Sequence, residues 1–406
     1  MNLSPILKKH MKIAYFTDQY WPSISGVSVS VDAFAKELTN MGHEVFLFVP
    51  DYPGASESDT LKNRQNIFRF RSHKVPFNDE NRIVHKSEKK NIFKILNSIK
   101  PDIIHTHTEF SLGKIGSKYA RMNKIPLVMT CHTNWEELIG LYVPLIPTWL
   151  ARPYCRYFMR KNYRKADIII VPTSLMEVLL NLYFIFKPIR VIPTGIDHDD
   201  FEYVHHCDEI SVSNVYKEFP VLEGKKFLFF AGRLGMEKNI EFLIDVLKNL
   251  ALKHPSLYLV IAGDGPARKD LENYVSEKGL KEKVIFTGFV EREKLKDFYS
   301  SSNVFVFASK VESQGLVTLE SMACGTPVVA IGKMGTREVM GGDSGGFMVD
   351  DDMDLFVEKT DLLLSDFKVC QAKSEEAERH ADRWTIQAQA VKMERLYLSL
   401  HNKFSH

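Results

Sequence analysis

Apolar residues along this chain gather into short runs divided by stretches of helical period. Lys12–Thr17 is a short apolar, β-rich run; a loop with Pro22 and Gly26 follows, then a pattern of period 3.6 from Val29 to Met41 that stops at Gly42, and Glu44–Val49 resumes as strand. A helix of that period between apolar strands predicts a parallel sheet. The alternation continues through strand candidates Asp102–His105, Pro126–Thr130, Ile168–Val171 and Arg190–Ile192, so the first half reads as α/β. Asp51–Asn66 is polar and turn-rich and reads as a surface loop.

Pro193-Thr194-Gly195 ends this series, and a polar region, Asp197–Gly224, leads to a fresh apolar run at Phe227–Ala231. The domain junction is therefore placed here, giving domains 1–195 and 196–383. The rhythm then repeats: helix Ile240–Ala251, strand Leu257–Ala262, helix Arg268–Glu277, strand Val284–Thr287, helix Arg292–Ser300, and strands Val304–Phe307 and Pro327–Ile331. Two tandem Rossmann-like units are expected, with ligands in a crevice at the carboxyl ends of the strands.

Composition narrows the class. A chain of 406 residues suits about two domains, and 45% hydrophobic with 26% charged residues lets the whole length fold. The five cysteines, Cys131, Cys155, Cys207, Cys324 and Cys370, show no metal spacing, and an odd count argues against a disulfide framework. A reducing, cytoplasmic compartment is expected. Met1–His10 has no apolar signal region, and no apolar run is long enough to span a bilayer. The small net charge hides an asymmetry: residues 1–195 carry 27 Lys and Arg against 16 Asp and Glu, a net +11, and the remainder is −9. The first half is thereby directed at something anionic: lipid headgroups, nucleic acid or a phosphorylated substrate.

The chemistry concentrates in the second half. Glu312-Ser-Gln-Gly-Leu-Val-Thr-Leu-Glu320 sets two carboxylates across seven residues, directly after a strand. A helix beginning near Gly315 would offer N–H groups and a positive dipole end to a phosphate, with Glu320 about a turn and a half inside it, free to accept hydroxyl hydrogen bonds. Gly232-Arg-Leu-Gly-Met-Glu-Lys238 would bring Arg233 and Lys238 to the same strand-end edge, where they could neutralise a leaving diphosphate without a metal. A solvated surface is the competing reading of these charges.

Taken in order, GRLGMEKN, AGDGP, FTGFV and ESQGLVTLESMACGTPVVA resemble the retaining glycosyltransferases of family four, which have the GT-B fold. The resemblance covers nearly the whole chain. It implies two Rossmann-like domains facing a central cleft, with a C-terminal helix within 384–406, Thr385–Leu400, crossing back to the first domain. It also implies Arg233 and Lys238 on the donor diphosphate, Gly315 and Leu316 beside them, Glu320 on the ribose, and Glu312 on the transferred sugar. Gly288, Phe289 and Val290 would line the nucleobase pocket, Gly26 would lie in a loop near the donor phosphates or acceptor, and His132 matches the family's active-site histidine. The expected chemistry is metal-independent electrostatic catalysis on a nucleotide-sugar, with no cofactor and no carboxylate nucleophile.

ESQG together with Thr108-Glu-Phe-Ser-Leu-Gly113, the CHTNWEEL stretch and Ile192-Pro-Thr-Gly-Ile-Asp197 is similar to bacterial diacylglycerol glucosyltransferases, implying UDP-glucose and a membrane lipid acceptor. Ser321 departs from the alanine usual after the second Glu. A soluble or cell-envelope polysaccharide acceptor, or an inactive sugar- or membrane-binding module, are the alternatives. A dehydrogenase is disfavoured because Gln19-Tyr-Trp-Pro stands where a GxGxxG would follow the first strand.

Independently of the family, Trp149–Lys165 reads as a basic amphipathic helix, with Pro153 tolerable near its start. Arg152, Arg156, Arg160 and Arg164 form a stripe beside Trp149, Tyr154, Tyr157 and Phe158, suited to an anionic membrane surface. A solvated face over an aromatic stripe is the plainer alternative. The protein is expected to lie peripherally on the inner membrane face, with no nucleic-acid partner.

Overall fold

A computed structural model describes residues 10–23, 25–55, 59, 66–75, 78–136, 148–197, 200–201 and 214–404. Much of Met1–His10, of the Asp51–Asn66 loop and of the Asp197–Gly224 connection lies outside the described residues, as do the last two residues of the CHTNWEEL stretch and Cys207. The chain divides into two compact units, one drawn from Met1–Glu136, Pro147–Gly195 and Ile386–His406, the other chiefly from Ile196–Thr385.

The first unit alternates β1 (Lys12–Phe16), α1 (Gly26–Asn40), β2 (Glu44–Pro50), β3 (Ile67–Phe70), a hairpin of β4 (Ser72–Val75) and β5 (Asn78–Val84), α2 (Lys89–Ile99), β6 (Ile103–Thr106), α3 (Ser111–Asn123), β7 (Leu127–Thr130), α4 (Thr148–Tyr163), β8 (Ile168–Val171), α5 (Ser174–Leu182) and β9 (Ile189–Val191). Its main sheet is parallel, in the order β3-β2-β1-β6-β7-β8-β9, with Ile13 in register with both Val45 and Ile103. Successive side chains leave a strand on opposite faces. Ile13 and Tyr15 accordingly enter one core with Val31 and Phe34 of α1, while Ala14 and Phe16 enter another with Ile92, Leu112 and Met159. Both faces are covered, so the strands are largely apolar.

The second unit repeats the plan with β10 (Phe227–Ala231), α6 (Ile240–Leu250), β11 (Tyr258–Ala262), α7 (Arg268–Glu277), β12 (Val284–Gly288), α8 (Arg292–Ser301), β13 (Val304–Phe307), α9 (Leu316–Ala323), β14 (Val328–Ile331), α10 (Met334–Met340) and β15 (Gly346–Val349). All neighbours pair in parallel, in the order β12-β11-β10-β13-β14-β15. After α11 (Met353–Ser365) and α12 (Phe367–Ala381), the chain returns to the first unit with α13 (Ile386–Phe404), which buries Ile386, Ala390, Met393, Leu396, Tyr397 and Leu400.

Several elements differ from expectation. The first helix begins at Gly26, three residues earlier than Val29, because Ser25 and Ser28 form a capping box at its start. Within the Asp51–Asn66 loop, Asp59 grips Arg69 through both carboxylate oxygens at 2.6 and 2.7 Å, and Tyr52 and Ala55 are buried. Pro153 falls inside α4; it removes one N–H from the ladder close to the helix's N-terminal end. Cys131, Cys155, Cys324 and Cys370 are free thiols. No helix among the described residues is long and apolar enough to cross a membrane.

Candidate active site

In each sheet the strand order reverses direction once, between β1 and β6 in the first unit and between β10 and β13 in the second. Loops that leave the carboxyl ends of strands at such a switch point are where open α/β sheets bind ligands.

In the second unit the loop after β10 is held by the AGDGP segment. A Cβ on Gly263 would lie 1.9 Å from the Gly232 carbonyl oxygen, and one on Gly265 2.5 Å from that of Leu234. Only glycine permits this approach, and Leu234 N–H then donates to the Asp264 carbonyl at 2.9 Å. The loop so fixed carries Arg233, 3.6 Å from buried Glu237, and Lys238, which pairs directly with Glu312 from the loop after β13. Arg233, Lys238 and Glu312 thus meet at one switch point, each cation beside a carboxylate. Glu312 is tied down in turn: its carbonyl accepts from Gly335 N–H at 2.9 Å.

Gly315 caps α9 with φ at 83°, and Leu316 opens the helix. Glu320 is not the free acceptor its spacing suggests. It is 3% exposed; Arg292 Nη1 lies 2.7 Å from one of its oxygens and the Tyr299 hydroxyl donates to the other at 3.0 Å. A carboxylate offers about four acceptor positions, so ribose hydroxyls would share it with these partners. Gly288, with φ at 74°, ends β12, and its carbonyl accepts from Gly263 N–H at 2.8 Å; Phe289 beside it is 57% exposed and Val290 packs on the core.

The switch point of the first unit is furnished differently. Asp18, just after β1, is buried and accepts from Thr108 Oγ1 at 2.6 Å, from Leu112 N–H at 2.9 Å and from the Ser111 hydroxyl, so it caps α3 from a distant part of the chain. Burial raises its pKa against those hydrogen bonds. His105 bridges the Tyr397 hydroxyl and Thr130 Oγ1, each at 2.6 Å. His107 Nδ1 lies 3.2 Å from His132 Nε2, one ring donating to the other, while His107 Nε2 is buried with no partner among the described residues. Burial holds all three imidazoles neutral: His105 and His107 fall well below the ordinary histidine range and His132 to about 4. Glu109 accepts from the Tyr163 hydroxyl, and burial pushes it up to about 7.

The sequence pattern singles out His132 but passes over His105, His107, Asp18 and Glu109. The segment His105-Thr-His-Thr-Glu109 follows an apolar strand, the same signal that selects His132. Gly26 has neither a positive φ nor any atom within 4 Å of where a Cβ would stand, so packing does not require a glycine there. Of the arginine stripe, Arg156 pairs with Glu136 at 2.7 Å and Arg152 lies 3.5 Å from the same carboxylate; Arg160 is exposed and Arg164 lies just beyond α4. Among the described residues no three His, Cys or carboxylate side chains converge to hold a metal.

Doubly wound tandem units with paired charges at the second switch point are the framework of a GT-B glycosyltransferase. The family models agree: Glycosyltransferase Family 4 matches residues 24–200 and Glycosyl transferases group 1 matches residues 214–380. The chain belongs to this glycosyltransferase family. It is 34% identical to the alpha-monoglucosyldiacylglycerol synthase of Streptococcus pneumoniae, over 79% of this chain and 71% of the relative. To the same enzyme of Acholeplasma laidlawii it is 27% identical, over 79% and 80%. Among solved structures, the sucrose-phosphate synthase of Thermosynechococcus elongatus superposes with a TM-score of 0.76 at 19% identity, covering 97% of this chain and 100% of that one. Anabaena HepE in complex with UDP-glucose does so at 0.75 and 17%, covering 96% and 100%.

Proposed function

We propose that this glycosyltransferase transfers glucose from UDP-glucose to a membrane lipid such as diacylglycerol, with retention of anomeric configuration and without a metal. The observation that carries the reading is the Lys238–Glu312 pair at the second switch point, beside Arg233. A cation already held next to a carboxylate is preorganised, and a departing diphosphate gains from it without the reorganisation that water would need. In this reading Arg233 and Lys238 take the leaving charge, Glu312 and Glu320 bind hydroxyls of the sugar and ribose, and neutral His132 hydrogen-bonds a sugar hydroxyl. The lipid acceptor is supported by relatives whose names specify a lipid product, the two monoglucosyldiacylglycerol synthases. The excess positive charge of the first half suits attachment to the inner membrane face.

The test offers purified protein UDP-glucose, UDP-galactose and GDP-mannose, each with diacylglycerol in mixed micelles and with soluble sugars, in the presence of chelator. The expected product is an α-glucosyl diacylglycerol, identified by mass spectrometry and its anomeric proton coupling. Transfer only from GDP-mannose, only to soluble acceptors, or only after Mg²⁺ or Mn²⁺ is added would overturn the corresponding part of the reading.

A further inference from the structure

Among the described residues of the first unit, a cluster of uncompensated positive charge lies away from the residues read as catalytic. Lys114, Lys118 and Arg121 recur along one side of α3, and with Ser117, Met122 and Lys165 they line an open basin of about 400 Å³. Lys161 and Arg164 flank it, and Lys89 at the start of α2 stands beside Lys118. None of these seven cations has a carboxylate within ion-pair distance among the described residues. They repel one another: burial first, then the charges of Lys114, Arg121, Arg164 and Lys161, hold the Lys165 ammonium below its ordinary range. The contrast with the N-terminal part of α4 is direct, since Glu136 engages Arg152 and Arg156 there.

A surface that concentrates like charge around a cavity and leaves it unpaired is stabilised when an anion enters. Its apolar surroundings narrow the kind of anion. Met122 at the rim is 63% exposed and Tyr157, which lies under Lys161, is 54% exposed, while Lys114 stands over the ring of Phe158. Cations interleaved with exposed thioether and aromatic groups match the headgroup level of a bilayer, where phosphate and the upper acyl chain are met together.

We propose that the basin lined by Lys114, Lys118, Arg121 and Lys165 binds the phosphate of an anionic lipid headgroup and is the principal membrane contact of this unit. The inference deepens the lipid-acceptor reading and rests on it for its purpose, but its test requires no turnover. The full chain is sedimented with vesicles of phosphatidylcholine alone or mixed with phosphatidylglycerol. Binding is expected only to the mixed vesicles, and Lys118→Glu with Arg121→Glu is expected to weaken it by about thirtyfold or more, since each basic residue near such a surface contributes roughly a factor of five. The equal charge change Arg152→Glu with Arg160→Glu should cost only a few-fold. Both pairs are exposed, so unchanged thermal unfolding verifies the fold. Equal losses in the two variants would mean a diffuse field and overturn the site. Displacement of wild-type protein by inorganic phosphate alone would assign the basin to a soluble anion, and tight binding of an RNA oligonucleotide lost in the same variant would assign it to nucleic acid; either result overturns the lipid assignment. Intact selective vesicle binding with no lipid product in the transfer assay would instead sink the acceptor reading and leave the basin standing.

Discussion

The two units share one topology and furnish its switch point with opposite chemistry. The first half of the chain carries the positive excess, yet the residues gathered at the ends of β1, β6 and β7 are held neutral or pushed towards neutrality: buried His105 and His107, half-buried His132, Asp18 and Glu109, all shifted chiefly by loss of solvation. The second half is net negative, yet its switch point is built from ion pairs: Lys238 with Glu312 and Arg233 with Glu237 in the loops, Arg292 with Glu320 between helices. The net charge of a unit therefore says little about its site. A set of paired charges suits a ligand whose charge changes during reaction, such as a departing diphosphate. A set of neutral hydrogen-bonding groups suits uncharged hydroxyls, which a charged histidine would bind with the wrong proton inventory.

The comparison is most easily broken at Arg292. If the second unit depends on its ion pairs, Arg292→Leu strands Glu320 almost wholly buried with, among the described residues, only the Tyr299 hydroxyl for company. Removing one partner of a buried pair costs about 3 to 5 kcal/mol. Urea unfolding of the variant should show a loss of that size, accompanied by weaker donor binding. A loss below about 1 kcal/mol would mean that Glu320 is as well solvated as a surface carboxylate, and the contrast between units would fail at its most buried point.

Lys238 gives a smaller effect, and on rate rather than stability. Lys238→Ala should lower turnover by about a hundredfold, as for loss of one preorganised charge on a developing anion, with unfolding little changed. Because Glu312 would then lack its partner, the double variant Lys238→Ala with Glu312→Gln separates the two contributions. Turnover within a few-fold of wild type in the single variant would remove Lys238 from the reaction.

The legibility of these features in the sequence follows from which physical signal each one leaves. Strands buried on both faces leave continuous apolar runs, so Ile168–Val171, Phe227–Ala231 and Val304–Phe307 are found with their true bounds. The β4–β5 hairpin, Ser-His-Lys-Val against Asn-Asp-Glu-Asn-Arg-Ile-Val, has too few apolar residues to announce itself and is absent from the expected elements. At the site, spacing places Glu312 after β13 and Glu320 inside α9. It cannot report that Arg292 and Tyr299, arriving from α8, occupy the Glu320 carboxylate. Contacts between loops remote in sequence, such as Asp18 capping α3, leave no periodic trace at all. The histidines fall between these cases: their position after a strand is visible, but their neutral state depends on burial that only the fold supplies.

That neutral state makes the least disruptive test of the comparison. His132 titrates at about 4 in the folded unit, against an ordinary value of 6.5. A pKa depressed by folding means that the unfolded chain takes up a proton first as the pH falls. The stability associated with neutral His132 is therefore fully present above about pH 6.5 and is lost progressively as the pH drops towards 4. His105 and His107 act in the same direction, while Asp18 and Glu109, whose pKa values are raised, act in the opposite one. A single wild-type profile would mix these contributions. The difference between wild type and His132→Gln isolates one of them, because glutamine can still hydrogen-bond His107 but does not titrate. Between pH 7 and pH 5 the wild type should lose at most about 2 kcal/mol more than the variant, measured by urea unfolding at each pH. Parallel profiles would mean that His132 titrates alike in the folded and unfolded chain. The first unit would then present an ordinary solvated imidazole, and the division between a neutral and an ionic switch point would no longer hold.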